Sequence, residues 1–156
     1  MKTNISILFA AIGLVFSPVI HAEESHPQGE HGHGKNEAGP NGGRVILSVE
    51  PHFEFFVTPE GKVKLTFLGE DRKAIAPAGQ VVTAIGGDRA KPTKLAFTKE
   101  DGYLLSDKPL PDGNMIPIIL QVKVSPDAKT VNEKFMVNLA DCPGCVHKEY
   151  ACTCDH

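Results

Sequence analysis

The stretch His52-Phe-Glu-Phe-Phe-Val-Thr-Pro-Glu-Gly-Lys-Val-Lys-Leu-Thr-Phe67 decides the fold. Phe53, Phe55 and Val57 alternate with His52, Glu54 and Phe56, and Val63, Leu65 and Phe67 alternate with Lys62, Lys64 and Thr66. Successive side chains of a strand leave on opposite faces, so this two-residue period describes two half-buried strands and not a helix. Thr58-Pro-Glu-Gly61 sets proline and glycine between them, which makes the pair a hairpin.

The same reading extends outward. Further strands are expected over residues 45–49, 81–85, 95–97, 103–106, 116–124 and 131–139. Gly86-Gly87, Asp101-Gly102, Asp112-Gly113 and Ser125-Pro126-Asp127 mark turns between them. Eight short strands without a helical period predict an all-β domain over residues 44–140, an antiparallel β-sandwich or open barrel of about eight strands. Its core is aliphatic and phenylalanine: Ile116, Ile118, Leu120, Val122 and Val124 on one face of the longest strand, Phe135, Val137 and Leu139 on one face of the last. Pro117 lacks a ladder donor and predicts an edge strand or a bulge.

With 156 residues, 41% of them hydrophobic and 22% charged, the chain has the make-up of one globular domain. A formal net charge of −3 provides no basic footprint for nucleic acid. Residues 1–22 read as a signal peptide, with Lys2 ahead of an apolar run from Ile5 to Phe16 and cleavage after Ala22. That run is too short to span a bilayer, so no membrane anchor is expected after cleavage, and the protein should be periplasmic or secreted. Residues 23–43 form a Gly/Pro-rich, apolar-poor stretch expected to remain a flexible tail. His26, His31 and His33 stand in it among Glu23, Glu24, Glu30 and Glu37, a donor set for borderline divalent ions or simply a solvated spacer.

The chemistry concentrates at the other end, in residues 141–156. All four cysteines are here, as Cys142-Pro-Gly-Cys145 and Cys152-Thr-Cys154, together with His147 and His156. Pro143-Gly144 suits a type II turn, with positive φ at the glycine, that draws Cys142 and Cys145 together. One residue of spacing puts Cys152 and Cys154 on the same face of an extended segment, where a disulfide between them would be strained. Thiolate and imidazole suit Cu(I) or Zn(II), so these six residues form a candidate metal site. Two other readings stand beside it. Two disulfides would staple a secreted interaction module, and a reactive Cys142 at a helix start would make CPGC a thiol-disulfide oxidoreductase motif.

Between Phe53 and Asp141 there is no histidine or cysteine, and no arrangement of nucleophile, base and orienting acid. The domain therefore reads as a scaffold and the protein as a binding protein, not an enzyme. His52 reads as an ordinary strand residue. Met115, placed in a turn, and Met136, on an outer face, are further thioether candidates for Cu(I).

Gly39-Pro-Asn-Gly-Gly-Arg-Val45, His52-Phe-Glu-Phe55, Leu65-Thr-Phe67, Ala74-Ile-Ala-Pro77 and Tyr103-Leu-Leu-Ser106 resemble the N-terminal β-domain of periplasmic adaptor proteins of RND-type heavy-metal efflux systems. The resemblance covers residues 39–106. It implies a periplasmic metal-handling protein working with a system that exports cobalt, zinc and cadmium or copper and silver. The chain is too short for the lipoyl-like, hairpin and barrel domains of a full adaptor, so what is implied is a free-standing relative, accessory to a heavy-metal efflux complex. The cysteine-rich end is not part of the resemblance.

Overall fold

A computed structural model describes residues 37–154. Within them the chain forms nine strands: β1 Arg44–Ile46, β2 Phe53–Val57, β3 Val63–Leu68, β4 Ala74–Ile75, β5 Val81–Gly86, β6 Thr93–Lys99, β7 Leu104–Ser106, β8 Met115–Lys123 and β9 Val131–Asn138. All pairings are antiparallel, in the order β1-β2-β3-β7-β6-β5-β8-β9. The sheet is thus all-β and continuous. It curls because β6 serves two neighbours: Thr93 to Ala96 pair with β5, and Phe97 to Lys99 pair with β7. The curl brings β9 over β2, where Phe55 and Phe135 meet edge to face at 5.1 Å. This is the open-barrel form of the expected class.

The hairpin that opens the argument forms as read. Gly61 N–H donates to Thr58 O and Thr58 N–H to Lys62 O, both at 2.8 Å, and Gly61 takes the positive φ of 76° that such a turn demands. Phe53, Phe55, Val63, Leu65 and Phe67 are buried, as are Ile116, Ile118, Leu120, Val122 and Val137. Val124 is not; it lies beyond the end of β8 and is exposed.

Three features differ from the sequence reading. The short β4 adds a ninth strand, pairing Ala74 and Ile75 with the stretch of β3 that β7 leaves uncovered. Pro117 lies in an interior strand: β8 runs between β5 and β9, with Pro117 opposite Met136. Its carbonyl accepts Gly87 N–H just past the end of β5, so the missing N–H points where the partner strand has run out. Glu54, an outward residue by alternation, is fully buried. The segment before β1 explains it, because residues 39–43 fold over the carboxylate. Oε1 accepts the N–H of Asn41 at 2.8 Å and of Gly43 at 2.7 Å, and Oε2 accepts Asn41 Nδ2 at 2.6 Å. The contact is close enough to require glycine, since a Cβ on Gly39 would lie 2.5 Å from Glu54 Cδ.

Residues 37–43 are therefore part of the domain, bridged to it by Ala38 opposite Arg44 and by the Glu37–Arg72 ion pair. The chain after Ala140, which the sequence assigns to a tail, is likewise docked: Tyr150 and Ala151 belong to the buried core.

Removing a buried acceptor strands its donors. Glu54→Ala should cost roughly 2–4 kcal/mol, seen as a lower urea midpoint. Glu70→Ala, at an exposed position, should stay within about 0.5 kcal/mol; equal midpoints for the two variants would contradict the buried-acceptor account.

Candidate metal centre

The chain folds back on itself directly after β9. Asp141 and Lys148 form an antiparallel bridge, reinforced by an ion pair of 2.6 Å, and Cys142 N–H donates to His147 O at 3.1 Å. Pro143 and Gly144 form the tip. Gly144 is not among the glycines with positive φ, so a type II geometry is not the reason for it. The reason is crowding: a Cβ there would sit 2.9 Å from Cys154 Sγ. A single 3-10 turn, Glu149–Ala151, then carries the chain back, and Cys152 follows in extended conformation with φ −61° and ψ 136°. Burial of Tyr150 and Ala151 directs this return.

The fold brings all four sulfurs within 4.8 Å of one another. Cys142 Sγ lies 3.1 Å from Cys152 Sγ and 3.9 Å from Cys154 Sγ, and Cys145 Sγ lies 3.8 Å from Cys152 Sγ. The four are thiols, not disulfides. Sulfurs at ~2.3 Å from a tetrahedral Zn(II) stand ~3.8 Å apart, against ~2.0 Å in a disulfide. Two of the three separations equal the tetrahedral edge. The third lies between the two limits. The donor set and spacing therefore fit one tetrahedral ion. Cys142 and Cys152 are buried, and Cys145 and Cys154 are half-buried.

Backbone amides converge on the sulfurs. Gly144 N–H donates to Cys142 Sγ at 3.4 Å, and Cys154 N–H to Cys152 Sγ at 3.3 Å. Cys145 receives the amides of His147 and Thr153, which lower its thiol to about 6. The crowding acts oppositely on its neighbours. The Cys142 thiol beside it pushes Cys152 up, and Cys154 is pushed up to about 12, first by Cys152. The cluster thus accommodates one negative charge readily and resists more, which is the electrostatic need a bound cation meets.

The histidines are placed differently. The His147 ring packs over Gly42, its Nδ1 3.3 Å from where a Cβ on that glycine would be, and it is not part of the thiol cluster. Its contribution is its backbone, which binds Cys142 and Cys145. His26, His31, His33 and His156 lie outside the described residues. His52 sits just before β2 with Nδ1 2.8 Å from Val49 O and Nε2 3.1 Å from Glu50 Oε1, a local structural role. Met115 opens β8, not a turn, and Met136 lies on β9; both are exposed.

Sequence reasoning missed the amide donors and the anchor beside them. Tyr150 accepts Val57 N–H at 3.0 Å and packs edge-on against Phe55 at 6.1 Å. Its being the lone aromatic among residues 141–156 was the available signal. No family model, curated protein or solved structure matches this chain.

The low Cys145 thiol has a direct readout. Reduced, metal-free protein treated briefly with iodoacetamide at neutral pH should carry its first label on Cys145, by peptide mass spectrometry. The preference should fade as pH falls through about 6, where Cys145 takes up its proton. A first label on Cys142 would overturn the assignment.

Proposed function

We propose that this is an exported heavy-metal-binding protein, periplasmic or secreted, that holds one soft or borderline ion between Cys142, Cys145, Cys152 and Cys154. The observation that carries the proposal is the convergence of the four sulfurs within 4.8 Å. A sulfur-only tetrahedron favours Zn(II) or Cd(II), and Cu(I) and Ag(I) share the preference for thiolate. The β-domain supplies a rigid support, and the protein acts as a carrier, not an enzyme. The likeness of residues 39–106 to adaptor domains supports its place as an accessory to metal efflux or resistance, with a heavy-metal efflux complex as partner.

A second reading rests on the lowered Cys145 thiol, which is also what a thiol-disulfide exchanger needs. Such enzymes place the reactive cysteine at a helix start, whereas Cys145 precedes a three-residue 3-10 turn by four positions. Catalysis of insulin reduction by the metal-free protein is the result that would favour this reading.

Native mass spectrometry under reducing conditions tests the carrier directly. The parent protein should retain one Zn(II) or Cd(II), and the variant with all four cysteines replaced by serine should retain none at the same concentration. Affinity should fall as pH falls, because Cys152 and Cys154 hold their protons more tightly than ordinary thiols and must release them to coordinate. Equal retention by parent and variant would remove the proposal.

A further inference from the structure

The sulfur cluster has one short edge. Cys142 Sγ and Cys152 Sγ stand 3.1 Å apart, whereas Cys142 to Cys154 and Cys145 to Cys152 are separated by 3.9 and 3.8 Å. A disulfide holds its sulfurs at ~2.0 Å, so the short pair needs to close by only about 1 Å. Both members of that pair stand on backbone that the domain holds in place. Cys142 follows the Asp141–Lys148 bridge and donates its N–H to His147 O at 3.1 Å, and Cys152 follows the 3-10 turn and donates its N–H to Glu149 O at 3.2 Å.

Burial divides the four sulfurs into two kinds. Cys142 and Cys152 are 6% and 3% exposed, which keeps a dissolved reagent from them. Cys145 and Cys154 are half-buried, and each lies within 4 Å of one buried sulfur, Cys145 of Cys152 and Cys154 of Cys142. The half-buried pair can therefore receive a reagent and hand it inward.

We propose that a small-molecule disulfide oxidises this centre by way of Cys145 or Cys154, that the bond finally formed joins Cys142 to Cys152, and that this bond expels the ion. The expulsion rests on the metal-centre reading above; the bond does not. In the first exchange the Cys145 thiolate attacks the reagent, forms a mixed disulfide and releases one small thiol. Cys152 then attacks Cys145 Sγ and releases the second small thiol, and Cys142 attacks Cys152 Sγ and returns Cys145 to the reduced state. Entry at Cys154 runs the same way with Cys142 attacking first. The balance is two cysteine thiols and one disulfide in, one cysteine disulfide and two small thiols out, with the two electrons and two protons passing to the reagent. Two of the four donors are then consumed, and Cys145 and Cys154 alone cannot complete a four-coordinate shell.

The test uses the reduced full chain, first metal-free and then loaded with Zn(II), treated with oxidised glutathione, quenched in acid and blocked with N-ethylmaleimide. Trypsin cuts after Lys134 and Lys148, which leaves Cys142 and Cys145 in one peptide and Cys152 and Cys154 in the other. Mass spectrometry should find the two peptides joined through Cys142 and Cys152, with maleimide on Cys145 and Cys154. Native mass spectrometry of the loaded protein should show Zn(II) lost mole for mole with the bond. Cys145→Ser combined with Cys154→Ser keeps the buried pair, and without metal it should form the same bond roughly tenfold or more slowly, because access limits exchange. A bond closed within the first peptide, between Cys142 and Cys145, would overturn the pairing. Oxidation of the double variant at the parent's rate would overturn the entry, and Zn(II) retained by cross-linked protein would overturn the expulsion. A parent that forms the Cys142–Cys152 bond but holds no Zn(II) beforehand would instead remove the metal centre, and the expulsion with it, while upholding the bond.

Discussion

The phenol of Tyr150 is the contact on which the position of the cysteine cluster depends. Its oxygen takes the N–H of Val57 at 3.0 Å, where β1 has ended and β2 would otherwise leave a donor unpaired. Its ring stands edge-on to Phe55, and Phe55 stands edge-on to Phe135, so three rings run from the cysteine loop through β2 to β9. Burying such a ring is worth about 3–5 kcal/mol against alanine, more than hydrogen bonds of the loop alone would contribute. Burial first, and the nearby Glu54 charge, push the phenol's own titration upward, which keeps it neutral in the core.

A second constraint works from the opposite end of the chain. A carboxylate in a protein interior is tolerable only when its oxygens are occupied, and Glu54 is satisfied by the loop that precedes β1. Lys64 Nζ adds a 3.1 Å bond to Asn41 Oδ1 on the same loop. Because the His147 ring lies on Gly42, this latch and the cysteine loop touch. Both grip β2, one through Glu54 and the other through Val57.

The strands were legible because burial on one face imposes a period of two, and the eight expected segments all appear. The legibility stops where contacts are made across the sheet. Glu54 follows the polar phase of its strand, and only the loop 39–43, far from it in sequence, makes it an interior residue. Pro117 violates a rule that concerns donors, and no sequence shows on which side a partner strand has stopped. The cysteine pairs were recognisable from spacing, yet their convergence depends on Tyr150 turning the chain back. His147 looked like a ligand by type and proximity; its ring packs over Gly42, and its backbone, not its imidazole, meets the two cysteines. Gly144 was correctly singled out for the wrong cause, since the sequence cannot reveal that Cys154 Sγ passes close by.

Tyr150 and Ala151 lie between the two cysteine pairs and within the apolar core at once. The thirteen residues from Cys142 to Cys154 are therefore neither an appendage nor an independent module, and an equilibrium at the sulfurs is also an equilibrium of the β-domain. An ion that binds only the folded arrangement stabilises it by RT ln(1 + [L]/Kd), about 2.7 kcal/mol at a hundredfold excess over Kd. By the same reciprocity, whatever loosens the core lowers affinity for the ion. If the thiols hold an ion, thermal melting of this protein becomes in that sense a gauge of its occupancy, and the packing of a tyrosine helps to set how tightly a distant observer would say the thiols bind.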